Sequence, residues 1–291
     1  MLFLFLIMMK ITDISGKVKF SNQIEMPYFG LGVYKTENGD EVINSIHAAL
    51  DNDYRLIDTA SYYKNETGVG EAIKTANVNR SELFVTTKVW IDDMGFDATL
   101  RAFDKSLKNL NLDYIDMYLI HWPVPDLFLE TWRAFEYLYQ SGVVKAIGLS
   151  NCLQHHIEDL EKNFEVKPML LQNEFHPRLV QQNLLDFCQE KDIVYQAWSP
   201  LMRGRLLDNE LILNLADQYK KSPAQILLRW DLQKGVATIP KSVKAERIAD
   251  NALIFDFELS SEDVKKIDSL DREERTGAHP DNFLEHFKNK K

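Results

Sequence analysis

Cysteine is nearly absent from this chain: Cys152 and Cys188 are the only two. Two thiols cannot build a disulfide framework, and their spacing resembles no zinc site, so a reducing, cytoplasmic setting is expected. Positive charge is also scarce, with 34 Lys and Arg against 44 Asp and Glu and a net charge of −10. Such a balance gives no general attraction to nucleic acid or anionic membrane, and neither is expected as a partner. Long apolar runs are missing too. The stretch from Met1 to Met9 is wholly apolar, yet it is too short to span a bilayer. It also lacks the basic start and small-residue cleavage site of a signal peptide. An over-extended start is the expectation there, with Met8 or Met9 as the initiator. No Pro-, Gly- or Ser-rich linker divides the remainder, so residues 10–291 are expected to form one domain.

What is present is an ordinary globular composition, 45% hydrophobic and 27% charged. Val18-Lys-Phe20 and Gln23-Ile-Glu-Met26 flank Ser21-Asn22 as a small hairpin. Eight short apolar runs follow, at Pro27–Gly32, Leu56–Ile57, Leu83–Thr87, Tyr114–Ile120, Ala146–Leu149, Met169–Leu171, Ile193–Ala197 and Val236–Ile239. Between them lie stretches of helical periodicity. Val42, Ile46, Ala49 and Leu50 share one helical face, and Leu100, Phe103, Leu107 and Leu110 share another. Ser222-Pro223 reads as a cap and first helical position, and Ser260-Ser-Glu-Asp263 as a capping-box variant opening a last helix. Strands buried on both faces and alternating with helices describe a parallel α/β protein. The expected fold is a single (β/α)8 TIM barrel with an N-terminal β-hairpin and extra C-terminal helices. A doubly wound dinucleotide-binding sheet is the rival. Gly30-Leu-Gly32 and Gly68-Val-Gly70 lack the third glycine of its fingerprint, so it fails.

In such barrels the chemistry sits at the C-terminal ends of the strands. Asp58, Lys88 and His121 fall there, and Tyr63 lies in the loop after the second strand. Singly, each has a structural explanation: a cap, a solvated strand end, a hydrogen-bonded core histidine, an ordinary surface tyrosine. Convergence of all four on one face is a different matter, and the chemistry that needs the set is carbonyl reduction. A free phenol has a pKa of about 10 and is a weak acid at neutral pH. Lys88 is expected to lower that value for Tyr63, with Asp58 holding Lys88 in place. His121 would orient the carbonyl oxygen while Tyr63 delivers the proton. A metal-dependent hydrolase would need a His/Asp cluster at the strand ends. Only His121 is available there, so no metal is expected.

From Lys17 to Leu270 the sequence resembles the aldo-keto reductase family. The matching stretches are Gly30-Leu-Gly-Val-Tyr-Lys35, Asp58-Thr-Ala-Ser-Tyr-Tyr63, Thr87-Lys-Val-Trp90, Leu119-Ile-His-Trp-Pro123, Ile147-Gly-Leu-Ser-Asn151, Leu171-Gln-Asn-Glu174, Trp198-Ser-Pro-Leu201 and Ile239-Pro-Lys-Ser-Val243. Each alone is a weak signal; eight in order are specific. The resemblance places the family's catalytic tetrad on Asp58, Tyr63, Lys88 and His121, with Tyr63 as general acid. It implies an NADP(H) cofactor across the barrel mouth, touching Val33, Tyr34 and Asp58. Ser150, Asn151 and Gln172 would meet the carboxamide, and Trp198 would lie under the nicotinamide ring. Ser199, Leu201 and Arg203 would wrap the pyrophosphate, in a loop where Met202 replaces a glycine common in relatives. Val243 would be a further cofactor contact, Lys241, Ser242, Lys244 and Arg247 would take the 2′-phosphate, and Asn251 would meet the adenine.

The cations also carry an argument of their own. Lys241, Lys244 and Arg247 at a helix start oppose the helix dipole and make sense if an anion binds there. Preference for NADPH over NADH follows. Tyr34, Trp90, His121 and Trp122 form the expected substrate rim, apolar and aromatic. The short connection after His121 and the tail after Leu270 suggest an open, permissive site. That resembles bacterial reductases of glyoxal-type or diketo-sugar substrates. The expected activity is reduction of small aldehydes or ketones by a monomer. The alternative is a cofactor-binding regulatory subunit of the same family with little turnover.

Overall fold

The computed structural model describes residues 10–288, and the expectation about the start of the chain lies outside them. A two-stranded antiparallel hairpin comes first, β1 (Lys17–Lys19) with β2 (Glu25–Pro27). Eight parallel strands follow: β3 (Leu31–Gly32), β4 (Leu56–Asp58), β5 (Phe84–Val89), β6 (Ile115–Ile120), β7 (Val144–Ser150), β8 (Leu170–Glu174), β9 (Val194–Trp198) and β10 (Ala237–Thr238). They pair in chain order from β3 to β10. All six residues of β5 and of β6 are buried, as strands covered on both faces must be.

The two outer strands meet. Gly30 N donates to Thr238 O at 3.0 Å, Thr238 N donates to Tyr28 O at 2.8 Å, and Gly32 N reaches Pro240 O at 3.1 Å. These bonds close the sheet into the expected barrel. Glycine is required at position 30, because a Cβ there would lie 2.5 Å from Leu56 Cγ. Met26 from the hairpin is fully buried, and Gln196 Nε2 of β9 contacts its sulfur at 3.9 Å. The hairpin therefore plugs one end of the barrel and leaves the other for chemistry.

Helices wrap the outside: α1 (Asp40–Asp51), α2 (Glu66–Thr75), α3 (Phe96–Leu110), α4 (Phe128–Gln140), α5 (Gln154–Glu161), α6 (Gln182–Glu190), α7 (Glu210–Tyr219), α8 (Pro223–Gln233), α9 (Ala245–Ala252), α10 (Ser261–Asp268) and α11 (Phe283–Lys288). The caps fall where the sequence puts them. Ser222 and Gln225 form a capping box with Pro223 behind it, and Ser260 Oγ accepts Asp263 N. No helix among the described residues is long and apolar enough to cross a membrane.

One expectation fails in the tail. The helix carrying Val264 and Ile267 is not the last element, because α11 follows and returns to the barrel mouth. Phe283 stacks on Trp122 at 5.0 Å, and Phe287 meets Trp90 edge-on at 5.1 Å. The aromatic rim is thus covered rather than open. Six helical residues are too few to show periodicity, which is why the element escaped; the Phe283 and Phe287 pair at i and i+4 was its only trace.

Candidate active site

The parallel register fixes the first two residues. Asp58 pairs with Thr86, so Lys88, two residues further along β5, points to the same side as Thr86. Lys88 Nζ donates to Asp58 Oδ1 at 2.6 Å and to Thr59 O at 2.8 Å. After β4 the chain turns through a 3₁₀ segment, Ser61–Tyr63, and Lys64 ends it in the left-handed region. Ser61 Oγ ties this turn to Lys88 O at 3.0 Å. The turn brings Tyr63 OH to 3.4 Å from Lys88 Nζ. His121, directly after β6, packs edge-on to the Tyr63 ring with centroids 5.7 Å apart. The four residues picked out by position along the sequence are therefore adjacent in space.

Their electrostatics differ from expectation in one respect. Burial, then Asp58 and Tyr34, push the Tyr63 phenol well above its ordinary value of 10.0. The Lys88 ammonium at 3.4 Å does not bring it below that value, because burial outweighs it. Burial is the largest cause, and the Asp58 carboxylate 2.6 Å from the ammonium opposes the help that Lys88 gives the phenolate. Burial also raises Asp58 and lowers Lys88, each opposed by the other's charge. A phenol held above 10 is always protonated at neutral pH and so always able to donate. Burial, with Lys88 adding to it, holds His121 well below 6.5. Its Nδ1 is buried and has no partner among the described residues. A neutral imidazole is the consequence.

The neighbouring strand ends form a second network. Gln172 Nε2 donates to Asp58 Oδ2 at 2.7 Å and to Gln196 Oε1 at 2.8 Å. Asn151, with φ at +56°, donates to His121 O at 2.9 Å and to Ser150 Oγ at 3.1 Å, and accepts Trp198 Nε1 at 2.9 Å. Both its N–H groups are occupied, so only Oδ1 keeps a free lone pair for a ligand. Its main work here is to join His121, Ser150 and Trp198.

Beyond β9 the loop is strained. Ser199, Met202 and Arg203 all have positive φ, at +57°, +47° and +55°. Strain of this kind gathers at ligand-holding loops. Met202, where the resemblance leads one to expect glycine, is fully buried and anchors the loop through its side chain. Ser199 Oγ is buried and has no partner among the described residues. Leu201 is half-buried and Arg203 exposed. Arg203 lies close enough to Tyr34 to oppose the rise in its pKa that burial causes.

The cation group is at the start of α9. Lys241, Val243, Lys244 and Arg247 are exposed, and Ser242 Oγ accepts Lys244 N at 3.1 Å. Among the described residues the three cations make no ion pair. Asn251 is buried behind them, while Asp250 is held by Ser222 Oγ at 3.0 Å and Gln225 Nε2 at 3.2 Å. Val33 is buried with its N–H on Asp58 O at 3.0 Å, and Tyr34 packs 5.0 Å from the Tyr63 ring.

At the rim, Trp90 stacks on Tyr62 at 3.7 Å, a residue that sequence reasoning passed over. Trp122 faces Phe283 more than open space, with only 6% of its surface exposed. His155, His156 and Asp281 bring three metal-type donor groups together. Leu153 N donates to His156 Nδ1 at 3.0 Å, which leaves the proton on Nε2, 3.5 Å from Asp281 Oδ1. His155 Nε2 lies 3.1 Å from the same oxygen, so the three groups form a contact between α5 and the tail.

A closed eight-stranded α/β barrel with a carboxylate, ammonium, phenol and imidazole gathered at its mouth belongs to the class of barrel oxidoreductases. More particularly, the chain belongs to the aldo/keto reductase family, whose sequence model matches residues 29–272. It is 56% identical over 273 residues to the glyoxal reductase of Bacillus subtilis, covering 94% of this chain and 99% of that protein. It is 44% identical over 270 residues to the methylglyoxal reductase DkgA of Escherichia coli K12, with 91% and 97% covered. A crystal structure of a Gox0644 variant in complex with NADPH superimposes with a TM-score of 0.87 at 40% identity, covering 91% and 97% of the two chains.

Proposed function

We propose that this protein reduces small aldehydes and 2-oxoaldehydes with NADPH, Tyr63 supplying the proton. The observation that carries this is the contact chain from Asp58 to Lys88 at 2.6 Å and on to Tyr63 at 3.4 Å, beside a neutral His121. The sites left free in the protein fit the cofactor. Among the described residues Ser199 Oγ is a buried hydroxyl without a partner, Gln172 Oε1 takes no donor, and the cations at the start of α9 make no ion pair. When bound, NADPH supplies the hydride.

The protein's own part concerns the proton and the carbonyl oxygen. His121, neutral at working pH, donates a hydrogen bond to that oxygen and holds it beside Tyr63 OH. Negative charge grows on the oxygen as the carbonyl carbon is reduced, and Tyr63 transfers its proton there. The phenolate left behind is costly in a buried site. Lys88, at hydrogen-bond distance, offsets that cost at the moment it arises. Thr59 O and Asp58 keep Lys88 charged and aimed. Rim aromatics from Trp90, Trp122 and α11 exclude water and limit the pocket to small substrates. The glyoxal and methylglyoxal reductases among the relatives support that substrate class.

Two tests follow. Between 6.5 and 10.0, the ordinary values of His and Tyr that these residues lie outside, neither His121 nor Tyr63 changes protonation. Neither residue is therefore expected to put an inflection into the pH profile of NADPH-dependent methylglyoxal reduction across this range. An inflection near either limit that vanished in His121→Gln or Tyr63→Phe would contradict the assignment. For cofactor choice, Lys241→Ala with Arg247→Ala removes two cations facing the 2′-phosphate. Each exposed contact is worth about 1 kcal/mol or less, so the KM for NADPH should rise roughly tenfold in the double variant. The KM for NADH should stay unchanged. Equal effects on both cofactors would place the cations elsewhere.

A further inference from the structure

Glu174 belongs to one of the sequence's most recognisable stretches, yet the mechanism leaves it no task. It ends β8, two residues after Gln172, and its side chain has no exposed surface. A buried carboxylate needs compensation, and nearly all of it comes from the tail. Oε1 accepts Thr276 N at 2.7 Å, the Thr276 hydroxyl, and His176 Nε2 at 3.2 Å; Oε2 accepts Gly277 N at 3.1 Å. Burial raises the pKa of this carboxyl, but the bonds from His176 and Thr276 outweigh it and keep the group below the usual carboxylate range. The backbone carbonyl of Glu174 joins in, accepting Gln181 Nε2 at 2.9 Å, while Arg275 holds Gln181 Oε1 at 2.8 Å.

The turn seated in this way presses on Trp198. A Cβ added to Gly277 would lie 2.6 Å from Trp198 Cη2 and 3.4 Å from Glu174 Oε2. No side chain fits there, so the bare Cα of Gly277 rests against the indole. Trp198 is thus fixed at two points. Asn151 holds its Nε1 at 2.9 Å, and Gly277 blocks the far end of the ring.

We infer that Glu174 is a positioning residue for the cofactor: through Gly277 it sets the plane of Trp198 on which the nicotinamide rests. This rests on the proposed reading of Trp198 as the nicotinamide platform. The tail, on this view, shapes the cofactor site through residues 275–277 and the carbonyl pocket through α11. The two effects can be separated.

The experiment is NADPH titration, followed by quenching of tryptophan fluorescence, with steady-state kinetics on methylglyoxal and unfolding midpoints measured alongside. Glu174→Gln removes the charge and turns one of the two acceptor oxygens into a donor, which then faces either the Thr276 or the Gly277 N–H. Gly277→Ala moves Trp198 while leaving the Glu174 carboxylate intact. Both should weaken NADPH binding about threefold to tenfold, the worth of one aligned aromatic contact. Phe283→Ala, further down the tail, should raise the KM for methylglyoxal and leave NADPH binding alone. Gly277→Ala guards against Glu174→Gln failing to fold. The inference is overturned if Gly277→Ala binds NADPH as the wild type does, or if it weakens binding only in proportion to a lowered unfolding midpoint. Failure of the wild type itself to bind NADPH would instead overturn the functional reading beneath it.

Discussion

Tyr63→Phe should reduce methylglyoxal with a kcat lowered about 10²–10⁴-fold, the range that a positioned general acid contributes. The NADPH dissociation constant should stay close to that of the wild type. The substitution removes one oxygen and leaves the ring, so packing against Tyr34 and His121 is kept. What disappears is the proton held at 3.4 Å from Lys88. His121 cannot take over, because a neutral imidazole donates a hydrogen bond to the carbonyl oxygen but is a far poorer acid than its protonated form. Single-turnover rates with saturating NADPH would isolate the chemical step from product release. A rate within a few-fold of wild type would show that the proton comes from another group.

Lys88→Met should be nearly as damaging to activity and far more damaging to stability. The ammonium makes three of the site's contacts, to Asp58, Thr59 O and Tyr63. Without it the phenolate formed at Tyr63 is unsupported, a loss of about 10²–10³-fold for a single preorganised donor. Asp58 would also remain buried and charged with only Gln172 beside it. Breaking one side of a buried pair costs about 3–5 kcal/mol. The double variant Lys88→Met with Asp58→Asn should recover most of that stability, because the unpaired charge is gone and Gln172 keeps an acceptor. Its activity should stay low. Denaturant unfolding of the two variants makes the comparison. Equal stabilities would mean that Asp58 takes up a proton once Lys88 is gone, so that no unpaired charge remains to be relieved.

The sequence was legible wherever chemistry and fold coincide at a strand end. Apolar runs alternating with helical periodicity gave the barrel, and parallel register then carried Asp58, Lys88 and His121 to one mouth. Tyr63 was readable because its turn is only a few residues long and tethered to Lys88 O by Ser61. Charge coupling was not readable. That Lys88 sits near Tyr63 follows from strand order, but how far Asp58 neutralises it depends on a 2.6 Å contact. The tail was the larger omission. Short, irregular segments show no period, and the turn at Thr276–Gly277 is held by a carboxylate about a hundred residues earlier in the chain. Glu174 stood in plain view in a matched motif, yet most of its partners lie in a tail whose shortness suggested an open site.

The most direct test of the account is to follow nicotinamide absorbance as the purified protein, NADPH and methylglyoxal are mixed, and to measure the alcohol formed. The account predicts catalytic turnover with one alcohol produced for each NADPH oxidised, and faster turnover with NADPH than with NADH at equal low concentrations. Tight binding of NADPH with no oxidation over a panel of small aldehydes, ketones and 2-oxoaldehydes would contradict it, and would make this barrel a cofactor-binding protein rather than a reductase.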